Sequence, residues 1–239
     1  MLPRTAMYDP PERPEDRLIF ALDVEDEHRA KALVSKLRPH VGTFKLGLEL
    51  LMRGGMDLVA RVADGSAVFV DAKLHDVPAT VSRAVRRIVE HGVPVRFITV
   101  HDGVFEAVSA AHGRAGILLV SVLTSVEAER VGGKEALTAR VVDRAHVARR
   151  EGATGIVCAA SELAAVRESF GDDLALVVPG VRPTWAKVEG DDQRRVTTVR
   201  DAVRAGATHL VVGRPIRDAK DPAEAARRIV DEIAETAAE

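Results

Sequence analysis

Three charged residues lie close together where a short apolar segment ends. The segment 71–80 reads DAKLHDVPAT and places two carboxylates, Asp71 and Asp76, and one ammonium, Lys73, within six residues. Desolvating a charge costs several kcal/mol, so charges at the end of a buried strand usually have partners or a task. We interpret this mixed-sign cluster as a candidate reaction centre.

The rest of the chain predicts the elements that position this cluster. Eight short apolar runs predict strands over residues 18–22, 41–47, 67–73, 95–101, 116–122, 154–159, 174–179 and 208–213. Amphipathic or alanine-rich stretches between them predict helices that include residues 26–38, 78–91, 133–150, 161–169, 197–205 and 221–237. Strands that alternate with helices indicate a parallel sheet covered by helices.

We predict an α/β fold in which residues 17–239 form one domain, a closed (β/α)8 TIM barrel. The proline-rich residues 1–16 are expected to form a flexible tail. The competing architecture is an open doubly wound sheet, which usually has a glycine-rich phosphate turn after its first strand. Here residues 21–26 read ALDVED and contain no glycine, which favours the barrel.

Strand alternation predicts where the charges point. Residues two apart on a strand share a face, so Asp71 and Lys73 are both expected to face the barrel interior. Asp23 ends the first predicted strand, and Lys45 lies near the end of the second. Because active sites of this fold lie at the carboxyl ends of the strands, the mouth is predicted to carry these four charges in alternating sign. Solvated charges at strand ends are the plain alternative, and spacing alone makes Asp76 the N-cap of the helix 78–91.

The segments after the last two strands predict a phosphate site. Residues 179–183 read PGVRP and residues 211–216 read VVGRPI. The corresponding loops of barrels often bind phosphate, and a glycine beside an arginine suits an anion. We therefore expect Gly213 and Arg214 to hold a phosphate, with Arg182 at the rim; arginines in tight surface turns are the alternative.

Two further loops carry candidate ligand groups. In the long polar loop 183–196, which we interpret as a possible lid, Gln193 could bridge a polar ligand and its phosphate, whereas Trp185 could cover a ligand or anchor the loop to the rim. In the SVLTS segment after the fifth strand, the hydroxyls of Ser121, Thr124 and Ser125 and the nearby N–H groups could bind a heteroaromatic edge. His101 is interpreted as a structural histidine and Cys158 as a core residue.

Composition excludes several classes of function. The net charge of -2 and the aromatic content of 3% argue against nucleic-acid binding. No apolar run approaches the roughly 20 residues that span a bilayer, and the start of the chain lacks a signal-peptide pattern. The single cysteine fits a reducing cytoplasm. No spacing typical of metal ligands and no dinucleotide fingerprint is present, so neither a metal nor a cofactor is expected.

Taken in order, the motifs ALD, FKLG, DAKLHDVPAT, SVLTS, PGVRP, DDQRR and VVGRPI resemble the orotidine 5'-phosphate decarboxylases of the bacterial kind. The resemblance runs from about Leu18 through the eighth repeat. It implies a cofactor-independent enzyme that converts orotidine 5'-phosphate to UMP and CO2 in pyrimidine synthesis. The D-x-K-x-x-D core is shared with related sugar-phosphate enzymes.

The resemblance also implies a role for each matched residue. Lys73 would donate a proton to C6 within a catalytic charge array. The array would contain Lys73, Asp71, Asp76 and Lys45. The substrate-binding residues would be Asp23, Lys45, Asp71, Thr80, Thr124, Arg182, Gln193, Gly213 and Arg214. Asp76 and Thr80 would reach the site of a partner subunit, which implies a homodimer.

Two other functions remain open from the sequence. One is a Mg²⁺-dependent sugar-phosphate decarboxylase or synthase with the same D-x-K-x-x-D core, which a chelator would inactivate. The other is a non-catalytic barrel that binds a phosphate ligand without turnover. The intact cluster of lysines and carboxylates argues against the second.

Overall fold

A computed structural model describes residues 11–186 and 196–239 and shows a closed barrel of eight parallel strands. Each strand pairs with the next along the chain, and the last pairs with the first. The strands are β1 (Leu18–Ala21), β2 (Thr43–Leu46), β3 (Val68–Leu74), β4 (Val95–Val100), β5 (Gly116–Val120), β6 (Gly155–Val157), β7 (Ala175–Val178) and β8 (His209–Val212). All eight predicted strands and the predicted fold class are confirmed.

Helices surround the barrel. They are α1 (Glu27–Leu37), α2 (Leu48–Ala63), α3 (Pro78–Glu90), α4 (Val104–Ala111), α5 (Lys134–Arg150), α6 (Leu163–Phe170), α7 (Val199–Arg204), α8 (Arg214–Arg217) and α9 (Pro222–Ala237). The six predicted helices are present. The sequence did not single out α2, which is kinked at Gly54 and Gly55, where the backbone leaves helical geometry and interrupts the apolar repeat.

The core has two layers because successive strand residues point to opposite sides. Phe69 on β3 packs with Ile19, Phe97 and Leu118 inside the barrel. Its neighbour Val68 belongs to the larger layer between the strands and the helices. Asp71 lies on the same inward face as Phe69 and lines the barrel mouth, as strand alternation predicts. Within the described ranges, every helix is too short or too polar to cross a lipid bilayer.

The amino-terminal end of the barrel is covered by a short 3-10 helix, Pro14–Arg17. The backbone carbonyl of Glu15 accepts a hydrogen bond from Gly42 at 2.8 Å, and Arg17 Nη2 donates to the carbonyl of Ala207 at 2.8 Å. The expected flexible tail over 1–16 therefore extends too far, because residues 14–16 already pack on the barrel. Residues 1–10 of that segment lie outside the described residues.

Candidate active site

A cavity of about 620 Å³ opens at the carboxyl ends of the strands. Its wall includes the ends of β1 to β4 on one side and the segments after β7 and β8 on the other. The predicted site residues on this wall are Asp23, Lys45, Asp71, Lys73, Thr124, Arg182, Gly213 and Arg214. The barrel thus brings these eight residues to one mouth, although they are spread along the sequence from Asp23 to Arg214.

Four charged side chains form a continuous chain along one side of the cavity. Lys45 Nζ lies 3.2 Å from Asp23 Oδ1 and 3.5 Å from Asp71 Oδ2. Lys73 Nζ lies 2.8 Å from the same Asp71 oxygen. The Lys45 and Asp71 side chains are only 12% and 11% exposed, whereas that of Lys73 is 36% exposed. The two central charges are therefore desolvated, while the Lys73 ammonium reaches the cavity.

Pairing keeps the buried groups of this chain ionised. Burial lowers the pKa of Lys45, but the carboxylates of Asp71 and Asp23 outweigh it and hold that pKa above its ordinary value. Burial raises the pKa of Asp71, but Lys45, Lys73 and the hydroxyl of Thr99 hold it below its ordinary value. Removing one partner from a buried ion pair typically costs about 3–5 kcal/mol, so each charged side chain stabilises the ionised form of its neighbour.

The backbone of Lys73 departs from ordinary strand geometry. Its φ is +47°, in the left-handed region, and the β3–β4 register shifts between Val70 and Leu74. The Lys73 N–H donates to Thr99 Oγ1 at 3.0 Å, and Thr99 Oγ1 lies 2.8 Å from Asp71 Oδ1. Non-glycine residues in this region carry strain and are concentrated at functional sites. Alternation along β4 would have placed Thr99 inward, but the sequence analysis did not single it out.

The opposite wall carries the groups expected for an anion. Gly213 and Arg214 follow β8, and Arg182 follows β7. The segment with Arg182 is fixed by a backbone bridge in which its N–H donates to the carbonyl of Thr197 at 2.8 Å. A Cβ at Gly213 would lie 3.3 Å from the Ala21 side chain, so a larger residue would crowd the end of β1. These placements agree with the predicted phosphate side of the mouth.

Arg217 is a cavity residue that the sequence analysis missed. It lies at the end of α8, and its Nη1 donates to the carbonyl of Asp23 at 2.8 Å. Its Nε and Nη2 contact both oxygens of Asp218, at 2.7 and 2.9 Å. It therefore ties the segment after β8 to the end of β1. It directly follows the VVGRPI motif, which gave it no separate signal.

In the segment after β5, some hydroxyl groups face the cavity and one makes a structural hydrogen bond. Thr124 and Ser125 line the cavity. Ser121 instead donates through Oγ to the carbonyl of Val157 at 2.7 Å, which joins β5 to β6. Of the SVLTS hydroxyl residues, Thr124 and Ser125 thus remain candidate ligand groups. Cys158 is buried, as expected for a core residue, but it also borders the cavity.

Asp76 and Thr80, both among the described residues, lie off the wall of this cavity. Asp76 is exposed, and its Oδ1 accepts a hydrogen bond from the Val77 N–H at 2.6 Å. The N-cap of α3 is Val77, so the prediction that Asp76 caps this helix is wrong by one residue. Thr80 Oγ1 accepts from Arg83 at 3.1 Å. Pro78 at the first helical position sets the helix start without a side-chain cap.

Trp185 anchors the start of the loop after β7 on the outside of the barrel. The Arg228 guanidinium of α9 lies 4.2 Å from the centre of its ring, a cation–π contact. The structure therefore favours the anchoring interpretation over a cover for the ligand. Gln193 and the DDQRR motif lie outside the described residues.

His101 lies next to the cluster beyond β3. Its ring meets the His75 ring edge-on at 5.7 Å, and its carbonyl accepts a hydrogen bond from Arg144. His75 Nδ1 in turn lies 3.0 Å from Asp102 Oδ2. These contacts agree with a structural role for His101. Across residues 11–186 and 196–239, no group of three or more histidine, cysteine or acidic residues is arranged to hold a metal ion.

Comparisons with known proteins agree with this geometry. A sequence profile described as "Orotidine 5'-phosphate decarboxylase / HUMPS family" matches residues 16–229. A protein named orotidine 5'-phosphate decarboxylase from Desulfosudis oleivorans is 42% identical over 237 residues, which cover 93% of this chain and 94% of that protein. One of the same name from Methylococcus capsulatus is 44% identical over 227 residues, covering 91% of this chain and 92% of that protein.

Superposition on solved structures points to the same family as the sequence comparisons. The crystal structure of orotidine 5'-phosphate decarboxylase from Lactobacillus acidophilus superposes with a TM-score of 0.77 at 28% identity, covering 94% of this chain and 99% of that one. The enzyme of the same name from Pyrococcus horikoshii superposes with a TM-score of 0.71 at 25% identity, covering 91% and 99%. This chain therefore belongs to the orotidine 5'-phosphate decarboxylase / HUMPS family.

Proposed function

We propose that this chain decarboxylates orotidine 5'-phosphate to UMP and CO2 without a metal or an organic cofactor, in de novo pyrimidine biosynthesis. The observation that carries the proposal is the alternating charge chain of Asp23, Lys45, Asp71 and Lys73 on one wall of a cavity. Arginines line the other side of that same cavity. The charge chain suits a developing carbanion, and the arginines suit a phosphate.

Lys73 would supply the proton. Breaking the C6–carboxylate bond releases CO2 and leaves the bonding electron pair on C6, where no adjacent carbonyl or imine accepts it. An ammonium beside C6 stabilises this charge and then transfers a proton to it, giving UMP. The Lys73 amine then regains a proton from solvent. The 36% exposure of the Lys73 side chain supports this step, because its ammonium reaches the cavity.

Asp71 would act on the substrate carboxylate and on Lys73. Lys45, Lys73 and Thr99 hold its pKa below the ordinary value, so it is anionic in the cavity that would receive the substrate carboxylate. Repulsion between the two carboxylates is lost as CO2 leaves, which favours the transition state over the bound substrate. The 2.8 Å contact with Lys73 would also hold that ammonium in position within the cavity.

Binding groups surround this centre. Asp23 and Lys45 would bind the ribose hydroxyls, Thr124 would contact the pyrimidine, and Gly213 and Arg214 would hold the phosphate. Arg182 would add a second cation at the rim, and Gln193 would bridge ring and phosphate. Binding energy from the remote phosphate can be used to orient the ring against Lys73.

The direct test is turnover in the presence of a chelator. Purified protein is mixed with orotidine 5'-phosphate in excess EDTA, and the loss of the substrate's ultraviolet absorbance is followed together with UMP formation by chromatography. We expect full activity at any EDTA concentration. Activity that disappears with EDTA and returns with Mg²⁺ would indicate the metal-dependent relatives instead. Binding of UMP without turnover would indicate a binding barrel.

We propose further that the enzyme is a homodimer in which Asp76 and Thr80 enter the partner's site. Both lie off the cavity of their own chain, and the segment that carries them exposes the apolar side chain of Val77. Phe105, at the start of the neighbouring α4, is also exposed. A second copy of the chain would cover these apolar groups and receive Asp76.

Subunit mixing tests this arrangement. Lys73→Ala and Asp76→Ala are each expected to be inactive as pure proteins. If Asp76 serves the partner's site, denaturing and refolding an equal mixture restores one intact site in each mixed dimer. With random pairing about half of the dimers are mixed, so about a quarter of all sites regain activity. A mixture as inactive as its components would show that Asp76 serves its own chain.

The proposed compartment is the cytoplasm. The chain's single cysteine, Cys158, is a buried thiol, which fits a reducing environment.

A further inference from the structure

We propose that Thr99 is a positioning residue that holds Asp71 and Lys73 in their reactive arrangement. This inference rests on the proposed function, because it assigns the means by which the charge chain keeps its geometry. Thr99 lies on β4 and is fully buried. Its single hydroxyl group contacts Lys73 and Asp71, which both lie on the neighbouring strand β3.

The hydrogen-bond directions at this hydroxyl follow from the donors present. The Lys73 backbone N–H donates to Thr99 Oγ1 at 3.0 Å, which occupies one lone pair. Asp71 is ionised and accepts only, so the hydroxyl hydrogen is donated to its Oδ1, at 2.8 Å. The other carboxylate oxygen, Oδ2, contacts the ammonium groups of Lys73 and Lys45. Thr99 therefore binds one carboxylate oxygen of Asp71, and the two lysines bind the other.

The backbone explains why a hydroxyl is needed at Thr99. The β3–β4 register shifts between Val70 and Leu74, and Lys73 adopts a left-handed conformation within that shift. Such an irregularity takes a backbone N–H out of the strand ladder. A buried N–H without an acceptor is costly, and Thr99 Oγ1 supplies the acceptor. Thr99 thus stabilises the conformation that turns the Lys73 side chain toward Asp71.

The same hydroxyl also fixes the Asp71 carboxylate. A carboxylate that accepts a hydrogen bond is favoured in its charged form and held in one rotamer. Valine in place of threonine keeps the shape of the side chain but leaves the Lys73 N–H without its acceptor and Asp71 without its donor. Serine keeps the hydroxyl and loses only a methyl group. The two variants therefore separate positioning from packing.

The first experiment compares kinetic constants for orotidine 5'-phosphate. We expect Thr99→Val to lower kcat about 10- to 100-fold, as for loss of a partner to a buried polar or charged group. KM should change less than about threefold, because the phosphate wall is untouched. Thr99→Ser should stay within about threefold of the wild type. Thr43→Val is the control: Thr43 is equally buried but lies at the start of β2, and its kcat should be unchanged.

The second experiment does not depend on turnover. The charged groups around Asp71 are Lys45 from β2, Lys73 from β3 and Asp23 beyond Lys45, with Arg182, Arg214 and Arg217 across the cavity. None of these is altered in the variants. With ¹³C-labelled aspartate and the Asp71 signal assigned by Asp71→Asn, carboxyl NMR titration should show a higher Asp71 pKa in Thr99→Val. In Thr99→Ser the titration should match the wild type.

The outcomes separate the two proposals. Thr99→Val with wild-type kcat and an unshifted Asp71 titration overturns the role of Thr99. So does Thr99→Ser impaired as much as Thr99→Val, which would indicate packing of the methyl group. If Thr99→Val does not fold, Thr99→Ala compared with Thr99→Ser makes the same distinction. If the wild-type protein has no decarboxylase activity, the proposed function fails while the titration still decides whether Thr99 positions Asp71.

Discussion

The two ends of the barrel interior handle buried polar groups in opposite ways. At the mouth, Lys45 and Asp71 are buried but keep their charges, because each ammonium faces a carboxylate. At the base, His209 is completely buried, and its pKa is lowered to about 3 by burial and by the cations Arg96 and Arg17. The mouth therefore retains charge, whereas the base contains a neutral imidazole.

The neighbours of each end account for this difference. The His209 ring packs edge-on against Phe97 at 5.1 Å, and its Nδ1 lies 3.0 Å from the Thr208 hydroxyl. Arg17, from the 3-10 helix below the barrel, donates to backbone carbonyls of the β7–β8 side. Such contacts fasten the chain but offer nothing to a ligand. Within one barrel, catalytic groups thus belong to the carboxyl ends of the strands and stabilising groups to the amino ends.

The largest expected effect at the mouth is that of Lys73→Ala. We expect kcat for orotidine 5'-phosphate to fall by several orders of magnitude, because proton transfer alone contributes about 10²- to 10⁴-fold and the charge beside C6 is also lost. The thermal midpoint should fall only modestly, because Lys45 still pairs with the Asp71 carboxylate, and UMP binding should remain close to that of the wild type. Turnover near the wild-type rate would show that Lys73 takes no part in the chemistry, and the charged mouth would then have no catalytic role that the base lacks.

Arg214→Ala sharpens the comparison within the mouth. A charge-assisted hydrogen bond contributes about 1.5–3 kcal/mol, so kcat/KM for orotidine 5'-phosphate should fall about 10- to 150-fold. The bare nucleoside orotidine has no phosphate, and its slow conversion should be nearly unchanged. Steady-state kinetics on both substrates give the ratio. Equal losses on the two substrates would contradict a phosphate role for Arg214.

The sequence predicted the mouth better than the base for physical reasons. A charge at the end of an apolar strand is costly, and period-two alternation gives its direction, so Asp71 and Lys73 could be placed inside the barrel. His209 is the second residue of the predicted strand THLVVG, where nothing in the sequence distinguishes a buried, neutral ring from a solvated one. The left-handed backbone of Lys73 and its acceptor Thr99 depend on the register between β3 and β4, which only the folded barrel defines.

Of the helices that the sequence did not single out, α2 teaches the same lesson. The Gly54–Gly55 kink interrupts the apolar repeat of α2, yet packing of its buried residues Leu50, Leu58 and Val62 on the barrel maintains both halves. Likewise, Asp76 fitted the pattern of a helix cap, but the fixed φ of Pro78 lets α3 begin at Pro78 without a side-chain cap. Tertiary packing decided the first case, and the local geometry of proline decided the second.

The smallest expected effect concerns the base and acts on stability rather than activity. Below about pH 6.5 the unfolded chain protonates this histidine, whereas the native state resists until about pH 3. Stability contributed by neutral His209 is therefore fully present above pH 6.5 and lost as the pH falls toward 3. At pH 5 the loss is about 2 kcal/mol, from roughly 1.5 pH units at 1.36 kcal/mol each.

His209→Gln removes the titrating ring and should flatten this dependence. The measurement is the free energy of unfolding in urea for the wild type and the variant between pH 7.5 and pH 5. The variant will be less stable at neutral pH because its core packing changes, but its stability should decline less on acidification. His101, whose pKa is also lowered by burial and by His75, remains in both proteins and accounts for a residual slope. Parallel curves for the two proteins would show that His209 does not titrate differently in the folded and unfolded states, and the contrast in protonation between the base and the mouth would fail.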